Sequence, residues 1–140
     1  MTDLAKSKVA LITGAGSGIG RAAAQIFSRE GAQVAVADVN VEGAEETVSM
    51  IKAAGGEAFC IQADVSKAAD VEAMLNSVVE KYGQLDCAYN NAGIEGALAR
   101  TADYATDDWA TVIAINLTGV WLCMKYEISH LLKNGGGAIV

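Results

Sequence analysis

Short apolar runs alternate with longer amphipathic ones four times along the chain, and this alternation sets the fold class. Val9 to Ile12 is a brief β-type run that leads into a glycine-rich turn. Ser17 to Glu30 carries Ile19, Ala23, Ile26 and Phe27 at helical spacing, and Gly31 stops it. Val34 to Ala37 is a second strand-like run ending at Asp38, and Glu42 to Ala54 a second helix stopped by Gly55-Gly56. Ala58 to Gln62 is a third strand, followed by Asp64. Ser66 is the expected cap of a third helix, with Val71, Met74, Leu75, Val78 and Val79 on its apolar face and Gly83 at its end. Leu85 to Tyr89 is a fourth strand. A helical region in two segments runs from about Asp107 to Lys133, and Ala138-Ile139-Val140 starts a fifth strand.

Strands that are short, nearly all apolar and separated by helices are the mark of buried parallel strands. The expected class is α/β: a doubly wound parallel sheet with helices on both faces. The absence of proline agrees with long regular elements, since average usage of roughly 5% would give about seven.

Composition narrows the function. Acidic residues outnumber basic ones 17 to 10, for a net charge of −7. That balance argues against a nucleic-acid partner, which needs a basic surface. Cys60, Cys87 and Cys123 are widely spaced with no C-x-x-C, so neither a disulfide framework nor a metal site is expected, and a reducing compartment fits best. The longest uncharged stretch, Trp109 to Met124, has 16 residues broken by Asn116, Thr118 and Gly119. A spanning helix needs about 20, so no membrane partner is expected. The N-terminus lacks the apolar core of a signal peptide. Together these point to a cytoplasmic protein.

The segment Thr13-Gly14-Ala15-Gly16-Ser17-Gly18-Ile19-Gly20 joins the first strand to the first helix. Glycines there let the backbone turn tightly and approach a diphosphate, and the helix start offers free N–H groups and a positive dipole end. A glycine-rich turn alone is weak evidence, but this one has the required strand-before, helix-after context. The G-x-G-x-x-G spacing fails in both registers, at Ile19 and at Arg21. T-G-x-x-x-G-x-G fits, and makes Gly14, Ser17, Gly18, Ile19 and Gly20 the expected cofactor contacts. Asp38 ends the second strand, where a carboxylate accepts from a ribose 2′-hydroxyl and repels a 2′-phosphate. No Lys or Arg occupies the nearby positions Ala15, Ser17 or Val39. The expected cofactor is therefore NAD rather than NADP. The alternative role for Asp38 is to cap the next helix.

Thr13-Gly14-x-x-x-Gly18-Ile19-Gly20, Asp64-Val65, Asn90-Asn91-Ala92-Gly93, and Asn116 within Ile115-Asn116-Leu117-Thr118-Gly119 follow one another along the chain. These four motifs in that order resemble the short-chain dehydrogenase/reductase family. The resemblance implies a Rossmann-type fold and hydride transfer between an alcohol or carbonyl substrate and the cofactor. It implies that Asp64 and Val65 hold the adenine, and that Asn90, Ala92 and Gly93 lie by the nicotinamide ribose. It also implies that Asn116 is a catalytic position supporting a water and a lysine. The alternatives are plain: Asp64 as an acid beside Ser66, the asparagines as turn formers, Asn116 as a locally satisfied helix residue. Asn116 lies in an apolar stretch and is expected to be buried with partners.

Family members also use a serine and a Y-x-x-x-K pair. No tyrosine here has a lysine four residues on. The expectation is that the chain, residues 1–140, is the cofactor-binding part of such an enzyme. The C-terminal part of the family fold would be absent, the chain ending within its fifth strand and having no activity alone. A catalytically silent nucleotide-binding or interaction protein is the alternative, and a methyltransferase of similar fold a more distant one. From Trp109 to Leu132, 16 of 24 residues are apolar, more than one sheet-facing stripe requires. That surplus predicts a subunit interface or a neighbour in sequence outside these residues, the plain alternative being a wide stripe with a few exposed apolar residues. The family resemblance implies a homo-oligomer, and Trp109 and Trp121 are expected in core or interface. His130, the single histidine, is expected to sit where a helix end welcomes positive charge.

Overall fold

The computed structural model describes residues 3–140. The elements run β1 (Val9–Thr13), α1 (Gly18–Arg29), β2 (Gln33–Asp38), α2 (Val41–Ala53), β3 (Glu57–Gln62), α3 (Ala68–Tyr82) and β4 (Cys87–Tyr89). After a loop with a 3₁₀ turn at Thr101–Asp103 come α4 (Thr106–Ile113), α5 (Val120–Lys133) and β5 (Ala138–Ile139). The sheet order is β3-β2-β1-β4-β5, and every pairing is parallel.

Alternation along β1 divides the core in two. Val9 and Leu11 point to one face, where they join Val71, Met74, Leu75 and Val78 of α3 and Leu122, Cys123 and Leu131 of α5. Ala10 and Ile12 point to the other, against Ala24 of α1 and Ala44, Val48 and Ile51 of α2. Both faces of the strand are buried, which is why its sequence is apolar from Val9 to Ile12.

Asp86 ties the sheet together at the end away from the glycine loop. It accepts from Val9 N at 2.8 Å, Gln84 Nε2 at 2.7 Å and Asn134 Nδ2 at 2.9 Å, and pairs with Lys8 at 3.3 Å. Burial pushes its carboxyl up, but the Val9 N–H, Gln84 and Lys8 outweigh that and hold it below the ordinary value. Leu85 and Asp86 lie before the β4 ladder, so that strand is shorter than its apolar run suggests.

The long helical region is joined by a π turn, Ala114–Gly119, instead of a break. The third helix also starts differently from expectation. Lys67 precedes it, and the Ser66 hydroxyl donates to Asp64 Oδ1 at 2.6 Å instead of capping. Trp109 and Trp121 are not in the core: they are 61% and 57% exposed, and Leu117 and Leu132 of the same helical region are exposed as well. His130 lies in the last turn of α5 as expected, and burial and Lys133 lower its pKa. Among the described residues, no helix is long and apolar enough to cross a membrane.

Candidate functional site

β1 neighbours β2 on one side and β4 on the other, so connections leave it in opposite directions. Open α/β sheets bind ligands at such a switch point, outside the carboxyl ends of the strands. A cleft of about 490 Å³ lies there. The glycine turn forms one wall.

Gly18 has φ of +51°, and a Cβ on it would meet no atom within 4 Å. Its open side therefore leaves the backbone approachable. Gly20 is the opposite case: a Cβ there would collide with the Gly14 carbonyl and the Asn91 side chain. Its lack of a side chain lets α1 start against the loop. Ser17 is extended just before α1, and its hydroxyl makes no capping bond. The first helical turn leaves N–H groups without intrahelical partners. Gly14, Ser17, Gly18 and Ile19 all border the cleft, while Gly20 is buried behind it.

Asp38 stands at the end of β2 and lines the same cleft. Its Oδ2 accepts from Gly16 N at 2.8 Å and its Oδ1 from Asn40 N at 2.9 Å. The cap of α2 is Asn40, which accepts from Gly43 N, so Asp38 does not fill that role. On the other side of the loop, Arg21 donates to Gly16 O at 2.5 Å, to Thr47 Oγ1 at 3.0 Å and to Glu46 at 2.6 Å. Thr47 is fully buried and donates to Ala15 O. Arg21 and Thr47 were not among the expected site residues. The available signal was a cation directly after the loop and an acid-threonine pair on α2.

Asp64 and Val65 follow β3 and line the cleft beside Ala63. The Ser66 hydroxyl, with its N–H and Lys67, holds the Asp64 carboxyl below the usual range, against the effect of burial. Ala92 and Gly93 form the facing wall. Asn91 Nδ2 donates to Thr13 O at 3.0 Å and Gly14 O at 3.2 Å, and Ala92 N donates to Thr13 Oγ1 at 3.1 Å. These bonds lock the turn after β4 onto the turn after β1. Asn90 lies behind the cleft, where its Nδ2 donates to Glu127 Oε2 at 2.9 Å.

Asn116 sits in the π turn and is exposed, not buried. Its amide is nevertheless satisfied: Oδ1 accepts from Ile94 N at 2.8 Å and Nδ2 donates to Ile94 O at 2.7 Å. It grips the backbone of one residue on both sides and so holds the segment after Gly93. Its neighbour Ile115 lines the cleft.

The cleft carries two carboxylates and no Lys or Arg among its lining residues. Ile19, Val39 and Ile94 expose apolar side chains around it. The site thus offers a bare backbone cradle for an anion, acceptors for hydroxyl or amine groups, and apolar walls for flat rings. Among the described residues, no group of three or more His, Cys, Asp or Glu is arranged to hold a metal ion.

Residues 8–140 match the short chain dehydrogenase family. The chain is 41% identical over 140 residues to the cyclohexanol dehydrogenase of Acinetobacter sp., covering 100% of this chain and 56% of that protein. It is 42% identical over 133 residues to a 3beta-hydroxysteroid dehydrogenase of Mediterraneibacter gnavus, covering 95% of this chain and 48% of the other. It superposes on NAD+-bound xylitol dehydrogenase with a TM-score of 0.94 and 36% identity, over 97% of this chain and 52% of that one. The chain spans about half the length of the curated relatives it matches. With the sheet order, the cleft and this match over residues 8–140 in agreement, the chain belongs to the short-chain dehydrogenase family.

Proposed function

We propose that the chain is the NAD-binding part of a dehydrogenase that interconverts small-molecule alcohols and carbonyls. The observation that carries the reading is the Asp38 carboxylate at the rim of a cleft whose lining has no cation. A ribose 2′-hydroxyl can donate to that carboxylate, whereas a 2′-phosphate meets its negative charge with no Lys or Arg in the cleft lining to offset it. NAD supplies the hydride acceptor of the reaction when bound. Gly14, Ser17, Gly18, Ile19 and Gly20 form the diphosphate cradle, with the start of α1 facing the anion. Asp64 accepts from the adenine amine while Val65 packs on the ring. Ala92 and Gly93 flank the nicotinamide ribose, and Asn90, bonded to Glu127 behind the cleft, supports that turn instead of meeting the ligand. Asn116 acts through the Ile94 backbone it holds and through the backbone of its own π turn.

The sequence contains no Y-x-x-x-K, so no tyrosine-lysine pair supplies the proton an alkoxide requires. The 140-residue chain therefore binds cofactor without turning over substrate. The exposed α4–α5 face is proposed to form a homo-oligomer contact, and the protein to work in the cytoplasm. Amide chemical-shift mapping with added NAD tests the site. Residues 14–20, Asp38, Asp64, Val65 and the turn at 90–93 should respond. A response confined to the groove between α1 and α2, around Gln25 and Met50, would overturn the assignment.

A further inference from the structure

Glu127 is an acidic side chain in surroundings suited to a neutral one. It lies on α5 with no solvent exposure. Its Oε2 accepts from Asn90, and no Lys, Arg or His forms an ion pair with it among the described residues. Its Oε1 and the Asn90 Oδ1 are both buried with no hydrogen-bond partner. A carboxylate oxygen and an amide oxygen can only accept, so this pair of side chains is short of a donor. An ionised carboxylate there loses its hydration and gains one amide N–H in return. One proton resolves both defects: the acid becomes neutral and its O–H is the missing donor.

We propose that Glu127 is held as a neutral carboxylic acid that pairs with the Asn90 amide and so positions the turn at Asn90–Gly93. Asn90 is where α5 reaches this turn. The next two residues are bonded to Thr13 and Gly14, so a shift at Asn90 is transmitted to the wall of the cleft. Burial pushes the Glu127 carboxyl up to about 7, and the Asn90 amide opposes this only in part. Among the described residues, the Asn90 amide is what acts on this carboxyl besides burial. The titratable neighbour is Cys123, one turn earlier on the same helix, whose thiol burial and then Glu127 raise to about 12. Glu127 is thus a positioning residue whose proton departs to water near neutral pH, leaving the pair one donor short. The effect on cofactor rests on the reading above; the proton and the pairing do not.

The test is a carboxyl carbon-13 and amide nitrogen-15 titration from pH 5 to 8.5, on the wild type and on Glu127→Gln. In the wild type Glu127 should ionise at a proton concentration more than a hundredfold below that of the exposed glutamates. The Asn90 side-chain signals and the backbone signals of residues 91–93 should follow with the same midpoint. Glu127→Gln both donates and accepts, so it should keep the low-pH signals throughout. NAD affinity should fall severalfold from pH 6 to 8.5 in the wild type and stay level in the variant. Ionisation together with the exposed glutamates overturns the proposal, as does a turn whose signals ignore the titration. If the signals move together but NAD binds at neither pH, the inference stands and the cofactor reading fails.

Discussion

The Gly16 N–H points at the Asp38 carboxylate at 2.8 Å, so the end of β2 holds the glycine loop in place before any ligand arrives. The next peptide is held from the opposite side, with Gly16 O accepting from Arg21. Asp38 therefore has two tasks, as loop anchor and as the proposed ribose acceptor. Replacing Asp38 with serine should not simply convert the site to NADP. It removes a charged acceptor from Gly16 N and Asn40 N, and no cation lines the cleft to bind a 2′-phosphate. NAD affinity should fall by about 1.5–3 kcal/mol, the usual worth of a hydrogen bond to a charged group. Titrating Asp38→Ser with both cofactors checks this; a clean gain of NADP binding would argue against the anchor role.

Gly20 makes a second prediction because its constraint is backbone against backbone. A methyl group there runs into the Gly14 carbonyl, which has no flexible side chain to yield. Gly20→Ala should cost about 1–3 kcal/mol of stability, as overpacking does elsewhere, and should weaken NAD binding further by displacing the loop. Urea unfolding with and without NAD separates the two effects.

Asp86 and Glu127 give opposite pH dependences. Asp86 is held below its ordinary 3.8 by its hydrogen bonds. Its contribution is present above that pH and is lost as pH falls through the folded value. Asp86→Ala should cost about 2–4 kcal/mol at neutral pH, since it strands the Val9 N–H and the Lys8, Gln84 and Asn134 donors.

Glu127 is raised from 4.5 to about 7. The unfolded chain ionises first as pH rises, so this group's contribution is complete below 4.5 and is lost on approaching 7. The loss amounts to roughly 3 kcal/mol at one pKa unit per 1.4 kcal/mol. Denaturant curves from pH 4 to 8 should show the wild type losing that much relative to Glu127→Gln across the window. Parallel curves would show that the carboxyl is not perturbed.

The α4–α5 surface carries Trp109, Leu117, Trp121 and Leu132 with more than half of each residue exposed. Exposed large apolar side chains gathered on one helical region make it a candidate interaction surface. Trp121→Glu should raise the dissociation constant for self-association at least tenfold with little change in urea midpoint. Sedimentation equilibrium measures it; a wild type that stays monomeric at every concentration would remove the basis for an oligomer.

Much of the fold is legible in the sequence because buried parallel strands and glycine stops leave local signals. β1 and β2 read as apolar runs since both their faces are covered. The glycine loop is legible partly because Gly14 and Gly18 take positive φ, while the Asn90–Gly93 turn is legible only as a motif, since its asparagines bond to Thr13, Gly14 and Glu127 far away in the chain. What escapes is long-range pairing. Nothing near Asp38 in sequence shows that it meets Gly16, 22 residues away. Arg21 looks like the polar side of a helix until α2 brings Glu46 and Thr47 to it. Glu127 likewise reads as a solvated acid, although helix packing buries it completely. Asn116 was expected inside an apolar helix. The π turn instead leaves it exposed and turns its amide to Ile94, a change of hydrogen-bond register that side-chain periodicity does not encode.

The most direct test of the account is a calorimetric titration of the chain with NAD and with NADP under identical buffer and salt. The Asp38 carboxylate and the cation-free cleft predict that NAD binds at least tenfold more tightly. Equal or tighter binding of NADP would contradict the role given to Asp38, and binding of neither would contradict the assignment of the cleft.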